Sequence, residues 1–187
     1  MLACFLTGGR RIPDPDHGVQ LPKVTAGLDL DADTITALGV HPNIVGTKLS
    51  CGHLGKLTRL ATSFPPDAFA PFIGRSDSFL PALAVRGPGG IMVLVNVVPH
   101  AHRALWDAWH GGRVDEARNI QRMLAHCDAI VSKYGGIGFT KALVAREFGY
   151  GGATVRGPLA TASVDQLSSV DAAQLDELLA LERSLVD

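Results

Sequence analysis

Cysteine, charge of one sign and long apolar runs are all scarce in this sequence of 187 residues. Its three cysteines, Cys4, Cys51 and Cys127, form no C-x-x-C pair and cannot all be bridged to one another. That argues against a disulfide framework and a zinc ribbon, so no metal is expected and a reducing compartment is the simpler reading. Lys and Arg number 17 against 18 Asp and Glu, a net charge of -1. Without a basic field to hold phosphate, nucleic acid is not an expected partner. No stretch approaches the roughly 18 apolar residues of a membrane span, so no membrane partner is expected. The apolar start Met1–Thr7 has no basic residue before it and runs into Gly8-Gly9-Arg10-Arg11, unlike a secretory segment. What is present is apolar: 47% of residues are hydrophobic and the mean hydropathy is +0.20. The length suffices for one compact core.

Residues 1–23 crowd Gly8-Gly9, Arg10-Arg11 and Pro13-Asp14-Pro15-Asp16 into a stretch without apolar period, which predicts a leader of loop or disorder. Beyond it Asp31-Ala32-Asp33 opens a short helix with Ile35 and Leu38 on one face, closed by Gly39 and Pro42. Asn43–Lys48 is a β-branched run between Pro42 and Gly52 and reads as a buried strand. Leu54, Leu57, Leu60 and Ala61 then recur at helical spacing with Lys56 and Arg59 outside. Phe69–Gly74 and Phe79–Val85 repeat the strand and helix, and Gly89–Val97 is the strongest third strand, apolar on both faces. Strands alternating with helices predict an α/β fold with parallel pairing over residues 24–110. The remainder, 111–187, reads as helical. Its most regular segment carries Ala117, Ile120, Leu124, Cys127 and Val131 behind the acidic turn Asp115-Glu116. Before it, Pro99 opens a helix holding Leu105, Trp106 and Trp109 and ending at Gly111-Gly112. Ser168-x-x-Asp171 has the form of a capping box ahead of Leu175, Leu178, Leu179 and Leu185.

One residue could carry chemistry. The apolar strand Asn43–Lys48 ends in a lysine, and α/β folds place ligands at the carboxyl ends of their strands. Composition alone favours a solvated loop residue, because lysine is almost never fully buried without a partner. In a low-dielectric site, however, the amine loses proton affinity and becomes a nucleophile toward a carbonyl carbon.

The run Pro42-Asn43-Ile44-Val45-Gly46-Thr47-Lys48-Leu49-Ser50-Cys51-Gly52, followed by Phe72-Ile73-Gly74-Arg75-Ser76-Asp77 and by Gly89–Pro99, resembles the dihydrodipicolinate synthase/N-acetylneuraminate lyase family. Arg113–Arg118, Lys141-Ala142-Leu143 and Val155–Leu159 continue the likeness in order and spacing, over about residues 24–187. Within the family, Gly46–Gly52 is most similar to the 4-hydroxy-2-oxoglutarate aldolases. The resemblance implies a class I aldolase without a cofactor, built on a (β/α)8 TIM barrel of which this chain holds the sixth to eighth strands, with a helical carboxyl-terminal extension. By position Lys48 would be the Schiff-base lysine on the sixth strand. Gly74, ending the seventh, and Gly90 with Ile91, on the eighth, would let backbone approach the substrate. The implied reaction cleaves 4-hydroxy-2-oxoglutarate to pyruvate and glyoxylate, with condensation of pyruvate and an aldehyde as the alternative. A homo-oligomer, or association with a full-length subunit as a non-catalytic fragment, is the implied assembly. The expected location is cytoplasmic, with the mitochondrion as the alternative.

Two departures accompany the likeness. The family carries a Tyr-Asn-x-Pro motif on its fifth strand, where this chain reads Val19-Gln20-Leu21-Pro22, and its only tyrosines are Tyr134 and Tyr150. A complete barrel takes roughly 250 residues, so the chain reads as the carboxyl-terminal part of an aldolase joined near residue 23 to an unrelated leader, and inactivity in isolation is an expectation. Other candidates are weaker. His100-x-His102 places its imidazoles on diverging sides of a helix. Gly87-Pro88-Gly89-Gly90 lacks the Lys-Ser/Thr of a P-loop and reads as a turn. Cys51 beside the lysine fits packing better than reactivity, and Trp106 and Trp109 fit helix anchors.

Overall fold

The computed structural model describes residues 16–22 and 25–186, which fall into two compact units divided between Ile91 and Met92. In the first, β1 (Asp16–Gln20), β2 (Ile44–Leu49) and β3 (Ala70–Ile73) form a parallel sheet in that order. Helices α1 (Ala32–Gly39), α2 (Leu54–Ser63) and α3 (Phe79–Ala84) alternate with the strands, because parallel neighbours need a crossover rather than a tight turn. The register sets Val19 against Lys48, and Lys48 against Phe72.

Local chemistry explains where the helices begin. Asp31 caps α1 by accepting from the Thr34 amide at 2.7 Å, and Ala32, Ile35 and Leu38 are buried. His53 caps α2 through Nδ1, which accepts from the Lys56 amide at 3.2 Å. Leu57 and Leu60 are wholly buried beneath it. Lys56 departs from its expected place outside: it is 3% exposed, and its ammonium is bound by the Asp29 carboxylate and donates to Leu30 O at 2.5 Å. A cation can be buried when its charge and donors are satisfied in this way.

The strands differ from expectation at both ends of the sheet. Asp16–Gln20 is a strand, not the loop that its lack of apolar period predicts; β2 supplies the backbone partners that its own side chains do not advertise. The rest of the expected leader, residues 1–15 and 23, lies outside the described residues. Gly89–Val97, expected as the strongest strand, pairs among the described residues through a single bridge between Ile73 and Gly90 and then enters a 3-10 turn at Val93–Asn96. Leu94, Val97 and Val98 are fully buried there, so the apolar run meets its need for burial without a ladder.

The second unit holds α4 (Pro99–His110), α5 (Val114–Lys133), α6 (Ile137–Phe148) and α7 (Ser169–Ser184). It takes in α4, which the division at 110/111 placed with the strands, because α4 packs on α5 and α7. Ala117, Ile120, Leu124, Cys127 and Val131 are all buried along α5, as their spacing predicts. Ser168 caps α7 by accepting from the Asp171 amide at 3.2 Å. Leu175, Leu178 and Leu179 are buried, while Leu185 follows the helix and is 38% exposed. Trp106 and Trp109 are half-buried, and the Trp106 ring lies 4.1 Å from that of His110. Among the described residues no helix is long and apolar enough to cross a membrane.

Candidate active site

Lys48 is the penultimate residue of β2, the middle strand. Side chains alternate across a strand. Thr47 and Leu49 are buried on one face in register with Pro71 and Ile73, and the Thr47 hydroxyl donates to Gly18 O at 3.0 Å. Lys48 therefore lies on the opposite, more open face, with Val19 on one side and Phe72 on the other. It is half-buried. Among the described residues no hydrogen bond or ion pair is made by its amine, which leaves a nitrogen available for chemistry at a strand's carboxyl end. Lys56, eight residues further along the chain in α2, is instead engaged by Asp29 and Leu30 O.

The other expected positions gather on neighbouring backbone. The Gly74 amide donates to Leu49 O at 2.9 Å, directly after β3. Gly90 bridges Ile73, and the Ile91 amide donates to Ile73 O at 2.9 Å. Ile91 is 45% exposed. Lys48, Gly74, Gly90 and Ile91 thus stand at the carboxyl end of adjacent segments of one sheet. Gly74 has a structural need of its own: a Cβ there would stand 2.5 Å from Ser50 Oγ and 2.8 Å from Ser50 Cα.

One arrangement escaped the sequence reading. Directly after Gly74, Arg75 Nε donates to Asp77 Oδ2 at 2.8 Å, and the Ser78 hydroxyl donates to Asp77 Oδ1 at 2.7 Å. Burial works to raise the Asp77 carboxyl, but the Arg75 and Ser78 hydrogen bonds and the Arg75 charge together hold it below its ordinary value. The Arg75 stem lies over Gly52, whose Cβ would stand 3.2 Å from Arg75 Cδ. Its signal was the Arg-Ser-Asp that follows a strand-ending glycine, a position where side chains border a ligand.

The remaining candidates are occupied elsewhere. His100 Nδ1 lies 2.7 Å from Glu182 Oε1, and His102 Nδ1 lies 2.7 Å from Val98 O. Burial pushes the His102 imidazole down in pKa, more than the Val98 carbonyl and the Glu182 charge raise it. Burial likewise pushes the Cys127 thiol up to about 12, with help from Glu177 and Asp128. Cys51, beside the lysine's strand end, is half-buried with a free thiol. Tyr134 is spent on tying α5 to α7: its hydroxyl donates to Asp171 Oδ2 at 2.7 Å. Val19, where the resembling family carries tyrosine, is apolar and 62% exposed beside Lys48. Among the described residues no group of three or more His, Cys, Asp or Glu side chains is placed to hold a metal.

Comparison with known proteins finds relatives over most of the chain. A protein of Emericella nidulans named "Probable 4-hydroxy-2-oxoglutarate aldolase, mitochondrial" is 38% identical over 173 residues, covering 92% of this chain and 55% of the relative. An L-threo-3-deoxy-hexylosonate aldolase of Aspergillus niger is 34% identical, covering 89% of this chain and 55% of the relative. The chain thus spans about half the length of the curated relatives it matches. A solved structure of a Coccidioides immitis protein assigned to the dihydrodipicolinate synthase family superposes with a TM-score of 0.73 at 31% identity, covering 92% of this chain and 57% of that one. The strand-end lysine therefore sits in a shared α/β framework, and since the sequence model of the dihydrodipicolinate synthetase family matches residues 20–176, the chain belongs to that family.

Proposed function

We propose that the site performs class I aldolase chemistry on a 2-oxo acid, with Lys48 as the Schiff-base lysine. The observation that carries this reading is the half-buried amine of Lys48, without a partner among the described residues, at the carboxyl end of the middle strand. Its neutral form adds to the C2 carbonyl of the substrate, and loss of water leaves an imine. Protonated, that imine withdraws electrons from the neighbouring C–C bond. With 4-hydroxy-2-oxoglutarate, the substrate in the name of the Emericella relative, the C3–C4 bond breaks as the C4 hydroxyl gives up its proton. Glyoxylate leaves as the aldehyde, the enamine is protonated at C3, and water releases pyruvate and restores the amine. Condensation of pyruvate with an aldehyde runs the same imine in the other direction. Gly74, Gly90 and Ile91 are assigned to the substrate-facing backbone at the strand ends.

Incubation with pyruvate and borohydride, followed by peptide mass mapping, tests the assignment. The expected product is a reduced adduct on the peptide carrying Lys48, and a folded protein that gives none there refutes it. A second reading, association with another aldolase subunit, draws on β1, the outer strand of the sheet among the described residues, with Val19 62% exposed. Recovery of an aldolase subunit by pull-down supports it.

A further inference from the structure

The stretch Lys141-Ala142-Leu143 has no part in the chemistry assigned to Lys48, yet Lys141 borders a cleft of about 420 Å3 that lies wholly within the second unit. That is the size of a small-molecule site, for which about 300–1,000 Å3 is usual. One wall is α6, where Ile137, Thr140, Lys141 and Val144 follow at three- and four-residue steps and so share a face. A second is the 3-10 turn at Val93–Asn96, which packs on α6. The chain just after α6 supplies a third: Gly149 and Gly151 take left-handed backbone, and Tyr150 between them borders the cleft. Val93, Ile137 and Tyr150 leave apolar surface open to solvent here. Such surface gathered at one concavity marks a binding site more often than surface scattered singly. The polar groups lining the cleft offer mainly donors. Lys141 Nζ gives one hydrogen to Thr154 O at 2.5 Å and keeps two. Among the described residues the Tyr150 hydroxyl and the amides of Gly151 and Gly152 donate to no other group. No acidic side chain lines the cleft among the described residues, and Glu147, further along α6, is held by Arg146 and Arg183.

We propose that this cleft binds a small monocarboxylic acid with an aliphatic or aromatic body, the carboxylate on Lys141 and the body against Val93, Ile137 and Val144. A carboxylate accepts several hydrogen bonds and gives none, which suits a lysine with hydrogens to spare beside a phenol and two backbone amides. Hydrogen bonds to a charged group are the strong ones. The single cation sets the charge of the ligand at one. A second carboxylate, or a phosphate dianion, would have to lie against valine and isoleucine without a partner, at a desolvation cost that nothing in the lining repays. An ammonium ligand would meet the Lys141 charge without an acid to offset it. The apolar lining in turn separates this ligand from acetate or formate, which have no body to bury.

The test is a titration of the full chain with 3-phenylpropanoate, followed by amide chemical shifts in nuclear magnetic resonance. This acid has no ketone, so it forms no imine with Lys48 or any other lysine. Saturable shifts are expected at Val93, Asn96, Ile137, Lys141, Gly151 and Gly152. The uncharged 3-phenylpropanamide should bind about tenfold more weakly, the scale of one charge-assisted hydrogen bond, and acetate should shift none of these amides. Lys141→Gln should weaken the acid by about tenfold and leave the amide unchanged. Ile137→Glu supplies a second variant: an acidic residue in the first turn suits the helix, so the fold is kept, while its charge faces the carboxylate and should abolish binding of the acid. A folded wild-type chain without saturable shifts at these residues overturns the site. Equal affinity for acid and amide, or acid binding that survives both Lys141→Gln and Ile137→Glu, overturns the assignment of its ligand.

Discussion

At the scale of single residues, the positions that matter are set by what stands beside them. Lys48→Met keeps the apolar stem while removing the amine and the cost of desolvating it. Stability should stay within about 0.5 kcal/mol or rise slightly, as read by urea denaturation, while pyruvate trapping disappears. Lys48→Arg should abolish trapping as well, because a guanidinium stays protonated; trapping that survives both changes would transfer the chemistry to another lysine. Lys56 is a poor alternative, held as it is by Asp29 and Leu30 O. Gly74→Ala brings a methyl within 2.5 Å of Ser50 Oγ and within 2.9 Å of the Ser50 amide nitrogen. Part of that contact is backbone, which moves less readily than a side chain, so overpacking should cost about 1–3 kcal/mol. An unchanged urea midpoint would show that the two strand ends can separate without penalty.

At the scale of elements, the helical unit is tied together by two carboxylates that reach between helices. Glu182 of α7 is 4% exposed and accepts from the backbone amides of His100 at 3.0 Å and Ala101 at 2.8 Å. It thereby caps the first turn of α4, which has no side-chain cap of its own. Glu182→Ala leaves the buried Ala101 amide and the part-buried His100 amide without this acceptor and should destabilise the protein by about 1–3 kcal/mol, measured as a shift of the denaturation midpoint. Asp171 does the corresponding work between α5 and α7. Hydrogen bonds from Lys133, Tyr134 and Ser168 lower its carboxyl from 3.8 to about 2. A carboxyl depressed in the folded state contributes stability above its unfolded value, near 3.8, and loses it as pH falls through about 2. Asp171→Asn should therefore flatten acid unfolding between those values, followed by circular dichroism; an identical acid profile would mean that the network contributes nothing. Helix starts were legible beforehand because a cap is a local event. Asp31 and Ser168 sit next to the amides they receive, whereas Glu182 acts across 82 residues and left no local mark.

At the scale of the whole molecule, the sheet ends in β1 among the described residues, and Val19 on it is largely exposed beside the lysine. An edge strand with an open apolar neighbour favours pairing with another chain. Size-exclusion chromatography with light scattering is expected to show an oligomer, and a stable monodisperse monomer would count against association. Net charge of -1 offers little long-range repulsion to oppose it.

By itself the sequence determined the starts of α1, α4 and α7, the apolar stripes of α5 and α7, the strand that carries Lys48 and the family to which the chain belongs. Each of these depends on near neighbours along the chain: a cap two or three residues away, a period of three and four, or a continuous motif. Tertiary structure decided the rest. Asp16–Gln20 has no pattern of its own and becomes a strand because β2 offers it backbone partners. Gly89–Val97 has the composition of a strand and becomes a bridge and a 3-10 turn, since apolar residues require burial but do not specify the backbone that achieves it. Lys56 goes inside because Asp29, distant in sequence, meets it there. The neighbours of Lys48 across the sheet come from register, and register exists only once strands far apart in sequence lie side by side.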